Sequence, residues 1–313
     1  MPLPEISSLS ERLAAGDRLA LARAITLVEN NLPGSYELLE GLHKTQPPGL
    51  VGITGPPGAG KSTLVNALLE LWTRQGLKIA VIAVDPSSPF HYGALLGDRI
   101  RMSRFYNEPL VFIRSLASRG SLGGLHPRIY EICDLVREAG FDRIILETVG
   151  VGQSEVEVAG IADCTVVTLV PEAGDMIQTL KAGLLEIADI FVVNKSDRAE
   201  AELMYQNLRS MVHERNSGSI EIPVLKTISH TGEGVEGLSK AIEAILEHPV
   251  SNAARKEFLQ LQKLYHLIRE IRMNDISKED LSRIYRLETR NTSFNIYKLA
   301  ERLAMSKMPS KAE

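Results

Sequence analysis

The chain of 313 residues has a net charge of −4, with 44% hydrophobic and 24% charged residues. This globular mixture has room for one sizeable α/β core plus helical appendages. It excludes general disorder and offers nucleic acid no general electrostatic attraction. No apolar run approaches the ~20 residues needed to span a bilayer and the N-terminus lacks a secretory pattern, so a cytoplasmic protein with no membrane association is expected.

Taken in chain order, Leu13, Leu19, Leu21, Ile25 and Val28 recur at helical spacing from about residue 9 to 31, after Ser7, Ser8 and Ser10 as possible caps. They predict a helical arm over residues 1–48, ended by Gln46-Pro47-Pro48-Gly49. From 49 to 250 short apolar runs alternate with helical patterns. The runs are Leu50 to Thr54, Lys78 to Val84, Leu110 to Ile113, Arg143 to Glu147, Thr165 to Val170, Ile190 to Val193 and Ile222 to Leu225. Several are apolar at nearly every position, as strands buried on both faces are, so the fold class is α/β with a doubly wound, mainly parallel sheet. In such a sheet ligands bind beyond the carboxyl ends of the strands. After Pro249 the strands stop. Phe258, Leu261, Leu264, Leu267, Ile268 and Ile271 share one helical face, and two more helical patterns complete a 251–313 extension, readable as a cap on the sheet or as a dimerisation arm. Cys133 and Cys164 form no CxxC pair and read as reduced, buried thiols.

Gly55-Pro56-Pro57-Gly58-Ala59-Gly60-Lys61-Ser62-Thr63 fits the P-loop pattern GxxxxGK followed by Ser or Thr, between a strand and a helix. A glycine-rich turn lets backbone N–H groups approach phosphate oxygens and aims a helix N-terminus at them. Lys61 then neutralises β/γ charge, and Ser62 ligates Mg²⁺. Asn194-Lys195-Ser196-Asp197 follows the strand Ile190 to Val193 and reads as a guanine selector. Guanine offers N1–H and N2–H₂ as adjacent donors, and the Asp197 carboxylate accepts from both, whereas adenine presents no such pair. Lys195 lays its stem along the ring and Asn194 braces the loop. Ser229, in Thr227-Ile228-Ser229, stands where another base contact is often made, although Ser and Thr are also ordinary turn residues.

Asp85, Asp98 and Glu147 are candidate Mg²⁺ carboxylates, because hard oxygen ligands near the phosphates suffice for that ion. Each alone could be a solvated carboxylate or a helix cap. Glu147-Thr148-Val149-Gly150-Val151-Gly152-Gln153 has the form of a γ-phosphate-sensing switch, in which Gln153 could orient the attacking water or be merely solvated. Arg99, Arg101, Arg104, Arg114 and Arg119 could each supply transition-state charge, with a surface salt bridge as the alternative.

Ile82-Ala83-Val84-Asp85-Pro86-Ser87-Ser88, Leu96-Gly97-Asp98-Arg99, Ser118-Arg119-Gly120-Ser121-Leu122-Gly123-Gly124 and the run from Glu147 through Glu155 together resemble the MeaB/ArgK-type GTPases, chaperones of methylmalonyl-CoA mutase. The resemblance runs from the Gly16-Asp17-Arg18 helix to about Leu246. It implies that Ser62, Asp85, Asp98 and Glu147 surround Mg²⁺, that Pro171 to Lys181 form a further switch facing the mutase, and that the protein is a homodimer built with its terminal helices. It also implies GTP/GDP as the bound nucleotide, and a role in delivering adenosylcobalamin to an acyl-CoA mutase and protecting that enzyme. Pro89-Phe90-His91-Tyr92-Gly93 departs from the smaller, glycine-rich segment usual in the family. Three other functions fit a P-loop. A nickel or zinc insertion GTPase needs soft or imidazole ligands, and seven scattered His and two distant Cys argue against it. A kinase for basic amino acids would use the same phosphate cradle, and a nucleotide-triggered scaffold would bind without hydrolysis.

Overall fold

The computed structural model describes residues 6–42, 48–85, 102–118, 125–148, 154–172, 183–215, 222–247, 253–272, 278–289 and 295–305. The chain divides into two compact units, Met1–Asn252 and Ala253–Glu313.

The first unit is built on a seven-stranded sheet. Its strands are β1 (Gly49–Thr54), β2 (Ile79–Asp85), β3 (Val111–Ala117), β4 (Arg143–Thr148), β5 (Cys164–Leu169), β6 (Ile190–Asn194) and β7 (Val224–Thr227). Every pairing is parallel, in the order β3-β2-β4-β1-β5-β6-β7. All seven apolar runs are therefore strands, and the sheet is wholly parallel rather than mainly so. The last strand lies two residues later than its run, and β3 continues to Ala117 along β2.

Helices cover both faces, which is why the strands lack a polar side. Leu50, Ile82, Ile144 and Leu146 pack under α1 (Ile6–Ala14), α2 (Arg18–Glu29) and α5 (Ile129–Glu138). On the other face Val51, Ile53, Val81 and Val166 pack under α4 (Lys61–Arg74) and α8 (Val235–Glu247). Val167, Phe191 and Val193 form a third cluster with α7 (Ala201–Arg215).

The N-terminal pattern is not one helix. It breaks at Gly16, which takes φ +80°, and Asp17 then caps α2 by accepting from the N–H groups of Leu19 (2.8 Å) and Ala20 (3.1 Å). The serines read as caps lie inside α1, and a short α3 (Ser35–Glu40) follows. The Ala20 N–H, and after it the Arg12 guanidinium, hold the Asp17 carboxyl below the usual carboxylate range. A depressed folded value means that this cap contributes above the ordinary carboxylate pKa and fades as pH falls through the depressed one. The arm is fixed to the sheet by polar contacts as well. Arg18 donates to the carbonyls of Pro109 and Val111, and Arg114 on β3 pairs with Glu29 (2.6 Å). The buried Arg128–Glu131 pair meets the Tyr36 hydroxyl of α3. Arg114 is thus committed to structure, and so is Arg104, which pairs with Glu70 (3.3 Å).

The sheet's amino edge is pinned by a repeated device. Asp142, Asp163 and Asp189 each stand one residue before a strand and accept, at 2.7–2.8 Å, from the N–H of Lys78, Leu50 and Thr165 respectively. Each also donates its own N–H to the carbonyl of that same residue, so register is set at the strand entrances.

Between α4 and α8 the single tryptophan is fully buried, and its indole N–H donates to Ser239 Oγ (2.8 Å), which donates on to Glu243 (3.1 Å). Ser239→Ala is expected to lower stability by about 1–3 kcal/mol through the stranded Trp72 donor. Urea unfolding monitored by Trp72 fluorescence measures this, and an unchanged midpoint would show the bond to be dispensable.

The second unit comprises α9 (Ala253–Arg272), α10 (Lys278–Glu288) and α11 (Ile296–Met305), close to the helices expected from periodicity. No described helix is long and apolar enough to cross a membrane.

Candidate nucleotide site

β1 lies between β4 and β5, and the chain leaving it turns at once into the glycine-rich loop. Gly55 takes φ +138°, and a Cβ there would stand 2.0 Å from the Thr168 carbonyl oxygen, so the loop can fold against β5 only with glycine at its first position. Gly55, Pro56, Pro57, Gly58, Ala59 and Gly60 then lead into α4, which begins at Lys61. That helix aims its first turn, and the positive end of its dipole, at the space above the loop.

Lys61 and Ser62 are buried at the first turn, with Thr63 exposed beside them. The Lys61 ammonium donates to the carbonyls of Gly55 (2.8 Å) and Pro56 (3.0 Å), which holds a cation across the mouth of the loop. Ser62 Oγ donates to Glu147 Oε1 at 2.7 Å. Glu147 is only 3% exposed, on β4 opposite Ile53, and Thr148 next to it shares a hydroxyl bond of 3.0 Å with Thr54. Burying a carboxylate is costly unless a cation or donors compensate it. A hydroxyl and a carboxylate within bonding distance, at the edge where the P-loop opens, are hard oxygen donors that fit Mg²⁺. The Asp85 backbone ends β2 at the same edge, two positions beyond the register partner of Glu147. The Asp85 side chain, Asp98 and Gln153 lie outside the described residues, as do Arg99, Arg101 and Arg119.

The second half of the site is organised by Asn194 at the end of β6. Its Nδ2 donates to the Ala59 carbonyl in the P-loop (2.9 Å). Its Oδ1 accepts from Thr227 Oγ1 (3.1 Å), the Ser229 N–H (3.2 Å) and Ser229 Oγ (2.7 Å). One buried amide therefore bolts together the phosphate loop, β6 and the loop after β7. Ser229, expected as a base contact, is seen bracing Asn194 with its hydroxyl proton. Lys195 takes φ +55°, a left-handed conformation that costs a residue with a Cβ about 1–2 kcal/mol. The Ser196 N–H donates to the Thr227 carbonyl (3.1 Å) and the Arg198 N–H to that of Lys195 (3.1 Å), so the turn is held from both sides. Asp197 at its tip is exposed, and Arg198 pairs with Glu172 at the outlet of β5.

The structure thus brings the P-loop, Lys61, Ser62, Glu147, Asn194, Lys195, Asp197 and Ser229 to one edge of the sheet, as the strand-end rule requires. The long-range partner that sequence reasoning missed is Ala59, whose carbonyl ties the two motifs. A mid-loop alanine gives no sign of this, because the backbone, not the side chain, makes the bond.

A family model described as methylmalonyl-CoA mutase-associated GTPase MeaB matches residues 21–283. A protein of Pyrococcus horikoshii named as a GTPase is 48% identical over 243 residues, covering 76% of this chain and 77% of its own. A Caenorhabditis elegans protein named methylmalonic aciduria type A homolog, mitochondrial, is 40% identical over 210 residues, 62% of this chain and 53% of its own. A solved structure described as LAO/AO transport system kinase superposes with a TM-score of 0.68 at 30% identity, covering 96% of each chain.

Proposed function

Because the chain belongs to the MeaB family of methylmalonyl-CoA mutase-associated GTPases, we propose that it hydrolyses GTP to GDP and phosphate with Mg²⁺, and that this cycle regulates adenosylcobalamin loading and protection of an acyl-CoA mutase in the cytoplasm. The observation that carries the nucleotide part is the Asn194 bridge. By joining Ala59 to the Asn194–Asp197 turn, it fixes the separation between phosphate cradle and base reader, which is what a site for a whole guanine nucleotide needs.

The residues divide the work. Backbone N–H groups of Gly58 to Ser62 would hold the phosphates, and Lys61 would move its ammonium from the loop carbonyls onto β/γ oxygens as charge develops there. Ser62, Glu147, Asp85 and Asp98 would hold Mg²⁺, which when bound supplies charge neutralisation at the phosphates. Asp197 would accept from the guanine ring and Lys195 would cover it. Gln153 would orient the attacking water.

The mutase part rests on the family description and on the methylmalonic aciduria name of the C. elegans relative. With purified proteins, the mutase is expected to stimulate GTP hydrolysis, and the GTP form to alter cofactor transfer to the mutase. No effect of either protein on the other would overturn the regulatory role while leaving the GTPase intact. Adding arginine or ornithine in the same assay tests the kinase reading, which requires a phosphorylated acceptor.

A homodimer joined through the second unit completes the proposal. Leu261, Leu264, Tyr265, Ile268 and Ile271 recur along α9 and each is exposed. An apolar stripe of this spacing is a seam for another helix. Sedimentation of wild type and Leu264→Asp is expected to give a dimer and a monomer respectively; a monomeric wild-type protein would overturn it.

A further inference from the structure

One short helix lies between the hydrolysis site and the chain that joins β5 to β6. Helix α6 (Ser154–Ala159) begins immediately after the run Glu147 to Gln153 in sequence. It is seated directly on the backbone of β1: a Cβ at Gly52 would stand 2.3 Å from Val158 Cγ1 and 3.0 Å from Ala162 Cβ. Ordinary carbon contacts lie at about 3.5–4.0 Å, so any side chain here forces the Val158 methyl aside and shifts the segment from Val158 to Ala162 off β1. Val158 is fully buried. The seat is next to the chemistry, since Gly52 pairs with Leu146, the neighbour of Glu147, and precedes Gly55 by three positions. α6 also packs against the helical turn Leu185–Ile187, which precedes β6 and, at the end of β6, Asn194.

A helix of six residues is far below the length that holds itself together, so packing fixes its position. Its floor is therefore its locator. We propose that Gly52 and Val158 are a positioning pair for GTP hydrolysis, and that α6 carries changes between the Glu147 to Gln153 run and the chain around Leu185–Ile187. This rests on the GTPase reading and deepens it, because it names residues of β1 and α6 that would hold the hydrolysis site in position.

The full-length protein tests this without any mutase. Gly52→Ala is expected to lower kcat for GTP hydrolysis about 10- to 100-fold, the scale set by a displacement of about 1 Å near reacting groups, with GDP affinity changed little. Gly52→Ala/Val158→Ala removes the obstructing Cγ1 and is expected to return kcat to within about threefold of wild type, as coupled neighbours do. Hydrogen exchange in the 184–188 peptide should differ between GDP and a slowly hydrolysed GTP analogue in wild type, lose that difference in the single variant and regain it in the double. Wild-type kcat in a folded Gly52→Ala protein overturns the proposal, and so does a double variant that stays slow. If Gly52→Ala does not fold, Val158→Leu raises the helix from its own side, and full activity there overturns it equally. Failure of the GTPase reading itself shows separately, as absence of GDP binding by the wild-type protein.

Discussion

Asp197→Asn is expected to convert the protein from guanine to xanthine selectivity, with the preference for GDP over XDP moving by about 10²- to 10⁴-fold. The estimate counts two charge-assisted hydrogen bonds at about 1.5–3 kcal/mol each and a tenfold change per 1.4 kcal/mol. A carboxylate accepts from guanine N1–H and N2–H₂ together, whereas an amide presents one acceptor and one NH₂ donor. Xanthine carries a carbonyl in place of the N2 amine, so the amide of the variant pairs with N1–H and that carbonyl at once. The geometry favours a clean result. Asp197 is exposed at the tip of its turn, while the turn's shape is held by Ser196, Lys195 and the buried Asn194. The substitution changes a reading atom and leaves the brace untouched. Competition between GDP and XDP for the Mg²⁺-loaded protein measures the shift, and an unaltered preference for GDP would place the base elsewhere.

The parts of this site visible in the sequence are those whose chemistry is local. A glycine-rich turn between an apolar run and a helix has few other uses, and the acidic end of β4 and the polar end of β6 stand out because polar side chains replace apolar ones there, although Glu147 and Asn194 are themselves buried. All seven strands fall on or beside short apolar runs, several of them apolar at nearly every position, while β3 and β7 carry polar residues within their spans. What stayed hidden is pairwise. Ser62 meets Glu147 across 85 positions and Asn194 meets Ala59 across 135, and no spacing rule relates such residues before the strand order is known. Gly52 looks like an ordinary strand glycine until Val158 is placed on it. The break between α1 and α2 was legible in principle, since Gly16-Asp17 is a helix stop followed by an N-cap, but the leucine periodicity continues through it and masked it. The apolar stripe of α9 was plain, since Leu261, Leu264, Ile268 and Ile271 recur at helical spacing, but spacing alone does not name the surface that covers it.

The second large effect concerns the phosphates. Lys61→Ala is expected to slow GTP hydrolysis by about 10²- to 10³-fold or more, the range for losing one preorganised positive donor from a water-poor site. The fold should survive. The Lys61 ammonium donates to the carbonyls of Gly55 and Pro56, groups on the loop itself. Leu64, Leu68 and Trp72 join α4 to the sheet and are unaffected. Desolvating a cation at 7% exposure is costly, so its removal offsets part of whatever bonding is lost, and the thermal midpoint should move by no more than a few degrees. Rate and midpoint together separate a chemical role from a structural one. A folded Lys61→Ala protein that turns over GTP at the wild-type rate would mean that the phosphates do not lie above Gly55 to Ser62, and the assignment of Ser62 and Glu147 as Mg²⁺ ligands would go with them.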